Sequence, residues 1–153
     1  MSSSGGREDF IYRAPFALPV RYEEIDHTAD VGIRAYGGTL DELFAAAAAG
    51  MFSLITDLRR VKPVGEIELR VSADDPEGLL VRWLSELLFL HETQRVLLKE
   101  FDVHVQGTTL EARVRGETIE KGRHELKLNV KAVTYHRIRL DPRAGVAEVI
   151  FDI

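Results

Sequence analysis

A helix that begins after Thr39 constrains the fold of this chain more than any other segment. Thr39 is followed three residues later by Glu42, the capping-box pattern that satisfies free amides at a helix start. The alanine run at residues 45–49 allows close packing against a β-sheet. Apolar residues recur at helical spacing and predict one buried face, formed by Leu40, Leu43, Phe44, Ala47, Met51 and Ile55.

Alternating apolar and polar residues predict the strands of the sheet that this helix covers. Residues 125–140 keep their alternation throughout, which predicts one long bent strand or two consecutive strands. Gly107 separates two alternating runs and predicts a hairpin. Further strands are predicted over residues 30–36, 67–71, 101–105, 110–114 and 146–153.

A second helix is predicted after Asp74-Asp75-Pro76, since proline is tolerated in the first helical turn. Val81 and Phe89 make it apolar on more than one face, so it is either deeply buried or partly an interface. Its buried stripe is Leu79, Leu80, Trp83, Leu84, Leu87, Leu88 and His91. The predicted fold class is therefore α+β, with two helices packed on a mostly antiparallel sheet.

The length of 153 residues fits a single domain. Residues 1–18 are predicted to be a flexible N-terminal tail, because they begin with a Ser/Gly-rich stretch, and residues 19–153 to be the folded domain. The first residues lack the apolar stretch of a secretory signal, and no stretch is apolar enough for a membrane helix. We therefore expect a cytoplasmic protein that makes no membrane contact.

Composition excludes several kinds of site. The chain has no cysteine, which rules out disulfides, thiolate zinc sites and cysteine nucleophiles. Its formal net charge of −5 argues against a large phosphate-binding surface, so any contact with RNA is expected to be indirect or weak. The phosphate-binding loop and the nucleophile elbow are absent, and His91-Glu92 lacks a second histidine because position 95 is Arg95.

Two acidic segments are candidates for a metal site. Asp26 and His27 lie just before Asp30, which starts a predicted strand, although such clusters also occur in turns and caps. At the other end, Asp152 precedes the main-chain carboxylate of Ile153. If Ile153 packs inward and the two strands are neighbours, these carboxylates meet, and their repulsion calls for a cation. Oxygen ligands favour hard ions such as Ca²⁺, Mg²⁺ or Mn²⁺. The alternative to a metal site is an acidic C-terminus that is simply exposed to solvent.

Two further residues bear on this site. Gly32 has no side chain and is expected to leave room beside Asp30. His136 shares its parity with Thr134 on an otherwise apolar strand face, so it is expected to be buried. A buried imidazole needs hydrogen-bond partners. A structural role and a role in the site both remain open for His136.

The segment from Asp26 to Ile33, with the sequence DHTADVGI, resembles the N-terminal signature of the archease family. The resemblance continues through Met51-Phe52, the WLSELL stretch from Trp83, the KAVTYH stretch from Lys131, and the terminal Phe151-Asp152-Ile153. It covers about residues 20–153, with the motifs in the family's order.

This resemblance implies a metal-binding accessory protein of a GTP-dependent RNA ligase, not an enzyme. Such a ligase joins 3′-phosphate or 2′,3′-cyclic phosphate ends to 5′-hydroxyl ends in tRNA splicing and RNA repair, and archeases promote its guanylylation and repeated turnover. The family's metal site falls on Asp30, Asp152 and the carboxylate of Ile153, with Ca²⁺ as the usual ion. Lys131 and His136 match the family's near-terminal motif and are expected to contact a partner or nucleotide. The alternative is that Lys131 is only solvated on the face of the sheet and that His136 only packs in the core.

Two other functions are compatible with the sequence. The first is a chaperone-like binding module for a tRNA-modifying enzyme such as a methyltransferase, for which the second helix would offer Val81 or Phe89. The second is a free-standing metal-dependent hydrolase, which the lack of a nucleophile–base constellation disfavours.

Overall fold

The computed structural model describes residues 11–12, 20–26 and 30–153. A short 3₁₀ turn, Leu58–Arg60, follows the first helix. The helices and strands are β1 (Ile11–Tyr12), β2 (Val20–Asp26), β3 (Asp30–Tyr36), α1 (Leu40–Ile55), β4 (Gly65–Ser72), α2 (Pro76–Gln94), β5 (Val96–Gln106), β6 (Thr109–Thr118), β7 (Ala132–Val133), β8 (Arg139–Asp141) and β9 (Val146–Asp152).

The strands form two antiparallel sheets. The first has the order β1-β2-β3-β9-β7, and β8 also pairs with β9; the second has the order β4-β6-β5. Helix α1 contacts β2, β3 and β9 of the first sheet and β5 of the second, while α2 contacts β4, β5 and β6 as well as β7 and β8. The predicted α+β class is confirmed, and the core is the helical layer that joins the two sheets.

Helix α1 begins as the capping pattern predicts. The Thr39 hydroxyl accepts a hydrogen bond from the Glu42 amide at 3.1 Å, and the Glu42 carboxylate accepts one from the Gly38 amide at 2.6 Å. Every residue from Leu43 to Ile55 is buried. The single buried face predicted from sequence is therefore too narrow, because sheet strands contact the helix from both sheets.

Helix α2 begins at Pro76, and the Asp75 carboxylate accepts a hydrogen bond from the Gly78 amide at 2.6 Å. The indole of Trp83 donates to the carbonyl of Phe44 at 2.9 Å, which ties the two helices together. Val81 is buried, whereas Phe89 is 56% exposed. Among the described residues, no helix combines the length and apolarity needed to span a membrane.

Strand β2 was not predicted, because its charged sequence shows little alternation, yet it pairs with β3 along its length. Of the two alternatives predicted for residues 125–140, the single long strand is wrong, and two consecutive strands form only as the short β7 and β8. Instead, the amides of Lys127 and Leu128 donate to the carbonyls of Ile55 and Leu54 at 2.7 and 3.1 Å. These carbonyls end α1 and have no partner within the helix. The segment therefore first completes the helix end, and only β7 and β8 join a sheet.

Candidate functional site

The pairing of β3 with β9 brings the two predicted acidic residues together. The strands are antiparallel, and Asp30 is directly opposite Asp152. Opposite residues of such a pair lie on the same face, with Cα atoms about 4.5–5.5 Å apart. The expected adjacency of these two strands is confirmed, whereas metal binding by the pair stays a prediction.

Hydrogen bonds fix the end of β9 between two neighbours. Asp152 pairs with Asp30 on one side and with Ala132 on the other. The amide of Lys131 donates to the carbonyl of Asp152 at 2.8 Å. The backbone that carries Asp152 is therefore held within the sheet, next to the main-chain carboxylate of Ile153.

The side chain of Ile153 does not pack inward as expected, since it is 40% exposed. The inward stripe of β9 consists of Ala147, Val149 and Phe151, all fully buried, and the strand ends one residue before Ile153. Asp152 is exposed and Asp30 is half-buried. Asp152 is thus open to solvent, whereas Oδ1 of Asp30 is buried. The order of the chain end comes from backbone hydrogen bonds.

The expected room beside Gly32 is filled. A Cβ atom on Gly32 would lie 2.7 Å from Cδ1 of Ile150 and 3.0 Å from the carbonyl oxygen of Val149. Gly32 is opposite Ile150, whose side chain is almost completely buried. Glycine at this position therefore permits close packing of Ile150 beside the acidic pair.

Another row of the same sheet, four residues further along β3, pairs opposite charges. Arg34 donates to Glu148 at 2.6 Å and also pairs with Glu23. The hydrogen bond that Arg34 donates to Glu148 is the main reason that the pKa of Arg34 is raised. In the row of the candidate site, by contrast, the two opposite positions are both aspartate. Like charges in directly opposite positions destabilise a strand pair unless a cation offsets them.

The donor set of the candidate site fits a hard cation. Asp30 and Asp152 supply carboxylate oxygens, which Ca²⁺, Mg²⁺ and Mn²⁺ accept. Within the described ranges, no group of three His, Cys, Asp or Glu side chains is placed to hold a metal. The main-chain carboxylate of Ile153, which follows Asp152, is the candidate for a third protein ligand.

The remaining predicted residues fall in different places. Asp26 ends β2, opposite Val31, while His27 lies outside the described residues. Lys131 is exposed next to Asp152. His136 is exposed, so its expected burial is wrong. The reason is that His136 lies in a turn and not in a strand.

Comparison with known proteins shows the family of this chain. The sequence profile of the archease protein family (MTH1598/TM1083) matches residues 22–153. The chain belongs to the archease family. Protein archease of Thermococcus gammatolerans is 40% identical over 125 residues, which are 79% of this chain and 88% of that protein. Protein archease of Methanopyrus kandleri is 38% identical over 138 residues, 86% of this chain and 99% of the relative.

The archease fold is also found in a solved structure. The solution structure of Methanobacterium thermoautotrophicum protein 1598 superimposes with a TM-score of 0.75 at 40% sequence identity. The match covers 86% of this chain and 98% of that protein. The residues of the candidate site lie within the part of the chain that the family profile covers.

Proposed function

We propose that this archease-family chain is a metal-binding accessory protein that activates a GTP-dependent RNA ligase in the cytoplasm. The ligase would join 3′-phosphate and 5′-hydroxyl RNA ends in tRNA splicing and RNA repair. The observation that supports this proposal is the position of Asp30 opposite Asp152, beside the carboxylate of Ile153. The chain would promote guanylylation of the ligase and its repeated turnover, and would not be an enzyme itself.

The role of each residue follows from its position. Asp30 and Asp152 would hold a divalent cation, most simply Ca²⁺, with the Ile153 carboxylate as third ligand. A bound cation would supply positive charge next to phosphate oxygens of the ligase's nucleotide. The backbone of β9 would keep the two aspartates in place, because it is paired on both sides. Lowering the guanylylation barrier by about 1.4 kcal/mol would give a tenfold rate increase.

A ligase assay tests the function. The purified chain is mixed with a cognate ligase, GTP and an RNA pair with 3′-phosphate and 5′-hydroxyl ends, and ligase–GMP formation and joined RNA are measured. Wild-type protein should stimulate both. Asp30→Asn and Asp152→Asn should reduce stimulation about tenfold or more, whereas the exposed Glu92→Gln should not. Absence of stimulation, or equal stimulation by all variants, would contradict the proposal.

Calorimetric titration with CaCl₂ tests the metal site without the ligase. Wild-type protein should bind Ca²⁺, and the Asp30→Asn/Asp152→Asn double variant should not. A variant extended by two residues after Ile153 moves the terminal carboxylate away, so its Ca²⁺ affinity should fall. Unchanged affinity of the extended variant would exclude the terminal carboxylate as a ligand.

The exposed ring of Phe89 favours a second candidate function. This side chain is 56% exposed on α2, as an interface residue would be, although Val81 is buried and unavailable. The chain would then be a chaperone-like module for a tRNA-modifying enzyme such as a methyltransferase. Affinity capture that retains such an enzyme with wild-type protein but not with Phe89→Ser, and retains no ligase, would favour this function.

A further inference from the structure

The edge of the first sheet contains an extruded turn. Val133 is opposite Phe151, and Arg139 is opposite Glu148. Between these two pairs the edge segment is six residues long, whereas β9 is three residues long. Three residues of the edge segment therefore have no partner on β9. The surplus is taken up by a turn in which the amide of Ile138 donates to the carbonyl of Tyr135 at 3.2 Å. We call this segment the Tyr135–Ile138 turn.

Hydrogen bonds hold the base of this turn on β9. The amide and the hydroxyl of Thr134 both donate to the carbonyl of Ile150, at 3.1 and 2.9 Å. The same hydroxyl accepts a bond from the amide of His136 at 3.3 Å. Arg137 has φ of 54°, in the left-handed region that a residue with a long side chain rarely adopts. Such backbone strain is typical of segments kept for function.

Three consecutive side chains of the turn face solvent. Tyr135 is 61% exposed, and His136 and Arg137 are exposed as well. Within the part of the chain that the structure describes, none of the three side chains makes a hydrogen bond or an ion pair. Arg34 and Arg123, by contrast, are both bound to glutamates. The turn thus presents an aromatic ring and a guanidinium that make no side-chain hydrogen bond or ion pair with the described residues.

The turn is close to the acidic pair. Its base, Thr134, is bonded to Ile150, which precedes Asp152 by two residues. Two residues of a strand span about 7 Å. One small ligand could therefore contact both the turn and a cation held by Asp30 and Asp152.

We propose that the Tyr135–Ile138 turn binds a phosphorylated nucleotide, with Tyr135 stacking on the base and Arg137 bonding to a phosphate. Guanidinium groups bond phosphates in a bidentate manner, and exposed aromatic rings stack on unpaired bases. His136 adds a donor between them. The net charge of −5 disfavours binding of a long RNA backbone, which limits the contact to one or two nucleotides. The proposal rests on the ligase-activating function, and the nucleotide is either free GTP or a 3′-phosphate RNA end.

Fluorescence anisotropy tests this binding and identifies its source. Three probes are titrated with protein in the presence of CaCl₂: a fluorescent GTP analogue, a 5′-fluorescein hexaribonucleotide with a 3′-phosphate, and the same RNA with a 3′-hydroxyl. Tighter binding of the first probe identifies the free nucleotide, and tighter binding of the second identifies the RNA end. Equal affinity for the two RNAs, without binding of the GTP analogue, would overturn the proposal.

Substitutions tie binding to the turn. Arg137→Gly and Tyr135→Ala should each weaken the preferred probe about tenfold or more, while Tyr135→Phe keeps the stacking ring and should bind as wild type. Arg143→Gly is the control, because Arg143 is an exposed arginine in the turn before β9. Circular dichroism checks that each variant is folded. Equal weakening by Arg143→Gly would overturn the proposal, since it would show a general charge effect.

The two proposals can fail separately. If wild-type protein stimulates the ligase but Arg137→Gly binds every probe as wild type does, the turn has no nucleotide site while ligase activation stands. If wild-type protein does not stimulate the ligase but its probe binding still requires Arg137, ligase activation fails and the binding site stands.

Discussion

Arg137 occupies a backbone conformation that suits glycine better than arginine, with φ of 54°. Replacement by glycine removes this strain, so Arg137→Gly should raise the free energy of unfolding by about 1 kcal/mol. Urea denaturation followed by tryptophan fluorescence measures the change. A stabilised variant that has lost nucleotide binding would show that the strain is kept for function, whereas a destabilised variant would contradict the assigned strain.

Asp152 faces Asp30 across the strand pair, and the two like charges should cost stability when no cation is bound. In a chelator, Asp152→Asn should therefore raise the free energy of unfolding by about 0.5 kcal/mol. In excess Ca²⁺ the order should reverse, because only wild-type protein gains binding energy. Melting temperatures in EDTA and in CaCl₂ measure both changes. A variant less stable than wild type in EDTA would contradict charge repulsion.

Residue-level prediction from the sequence succeeded for the acidic pair and failed for the turn beside it. Asp30 and Asp152 could be brought together by assuming that their strands are neighbours, because strand parity gives the face of each residue. The turn at Arg137 could not be predicted. A glycine would have indicated a positive φ at this position, but an arginine does not. The same lack of a local signal explains His136: alternation places it on the strand face, but the chain leaves the strand after Val133 and rejoins the sheet only at Arg139.

Among the elements, the β5–β6 hairpin depends on a glycine where β5 has a bulge. A Cβ atom on Gly116 would lie 1.8 Å from the carbonyl oxygen of Leu97, which backbone movement alone can relieve. Gly116→Ala should therefore lower the free energy of unfolding by about 3 kcal/mol. Gly65→Ala is the matched control, because Gly65 is opposite Gly116 on β4 and its added Cβ would lie at an ordinary 3.5 Å. Equal effects in urea denaturation would contradict this prediction.

Element-level prediction worked where local pattern and tertiary environment agree. The capping residues Thr39 and Asp75 gave the starts of both helices, and alternation gave β3 and the β5–β6 hairpin. It failed at residues 125–140, where the amides bond to the end of α1 and Leu126 is 46% exposed. These hydrogen bonds depend on a helix that ends about 70 residues earlier in the chain. The local periodicity of residues 125–140 carries no information about such a distant partner.

At the scale of the whole molecule, a partly buried ion network joins segments that are distant in sequence. The carboxylate of Glu117 accepts hydrogen bonds from Arg123 at 2.6 and 2.9 Å and from the amide of Lys62 at 2.7 Å. The amide of Glu120 donates to Nδ1 of His124, so Nε2 carries the proton that His124 donates to Glu117 at 2.8 Å. These bonds connect β6, the loop before β4 and the loop after β6.

The network predicts acid sensitivity. Its hydrogen bonds, above all that from Arg123, lower the pKa of Glu117 from 4.5 to about 2. A lowered folded-state pKa stabilises the protein above pH 4.5, and this contribution is lost as pH falls towards 2. Urea denaturation between pH 6 and 2.5 should show a smaller pH dependence for Glu117→Gln than for wild type. Glu120→Gln is the control, since Glu120 is exposed although it also pairs with Arg123. An unchanged pH dependence for Glu117→Gln would contradict the assigned shift.

The interior position of β9 in the first sheet has a consequence for biosynthesis. This strand lies between β3 and β7, and its register joins residues about 120 positions apart. During translation, β2, β3 and α1 leave the ribosome long before the strand that completes their sheet. Until β9 is synthesised, part of the apolar surface of α1 stays exposed to solvent. Strand pairing between residues so far apart in sequence is also slow. Nascent chains arrested before residue 146 should therefore be captured by chaperones that bind exposed apolar segments.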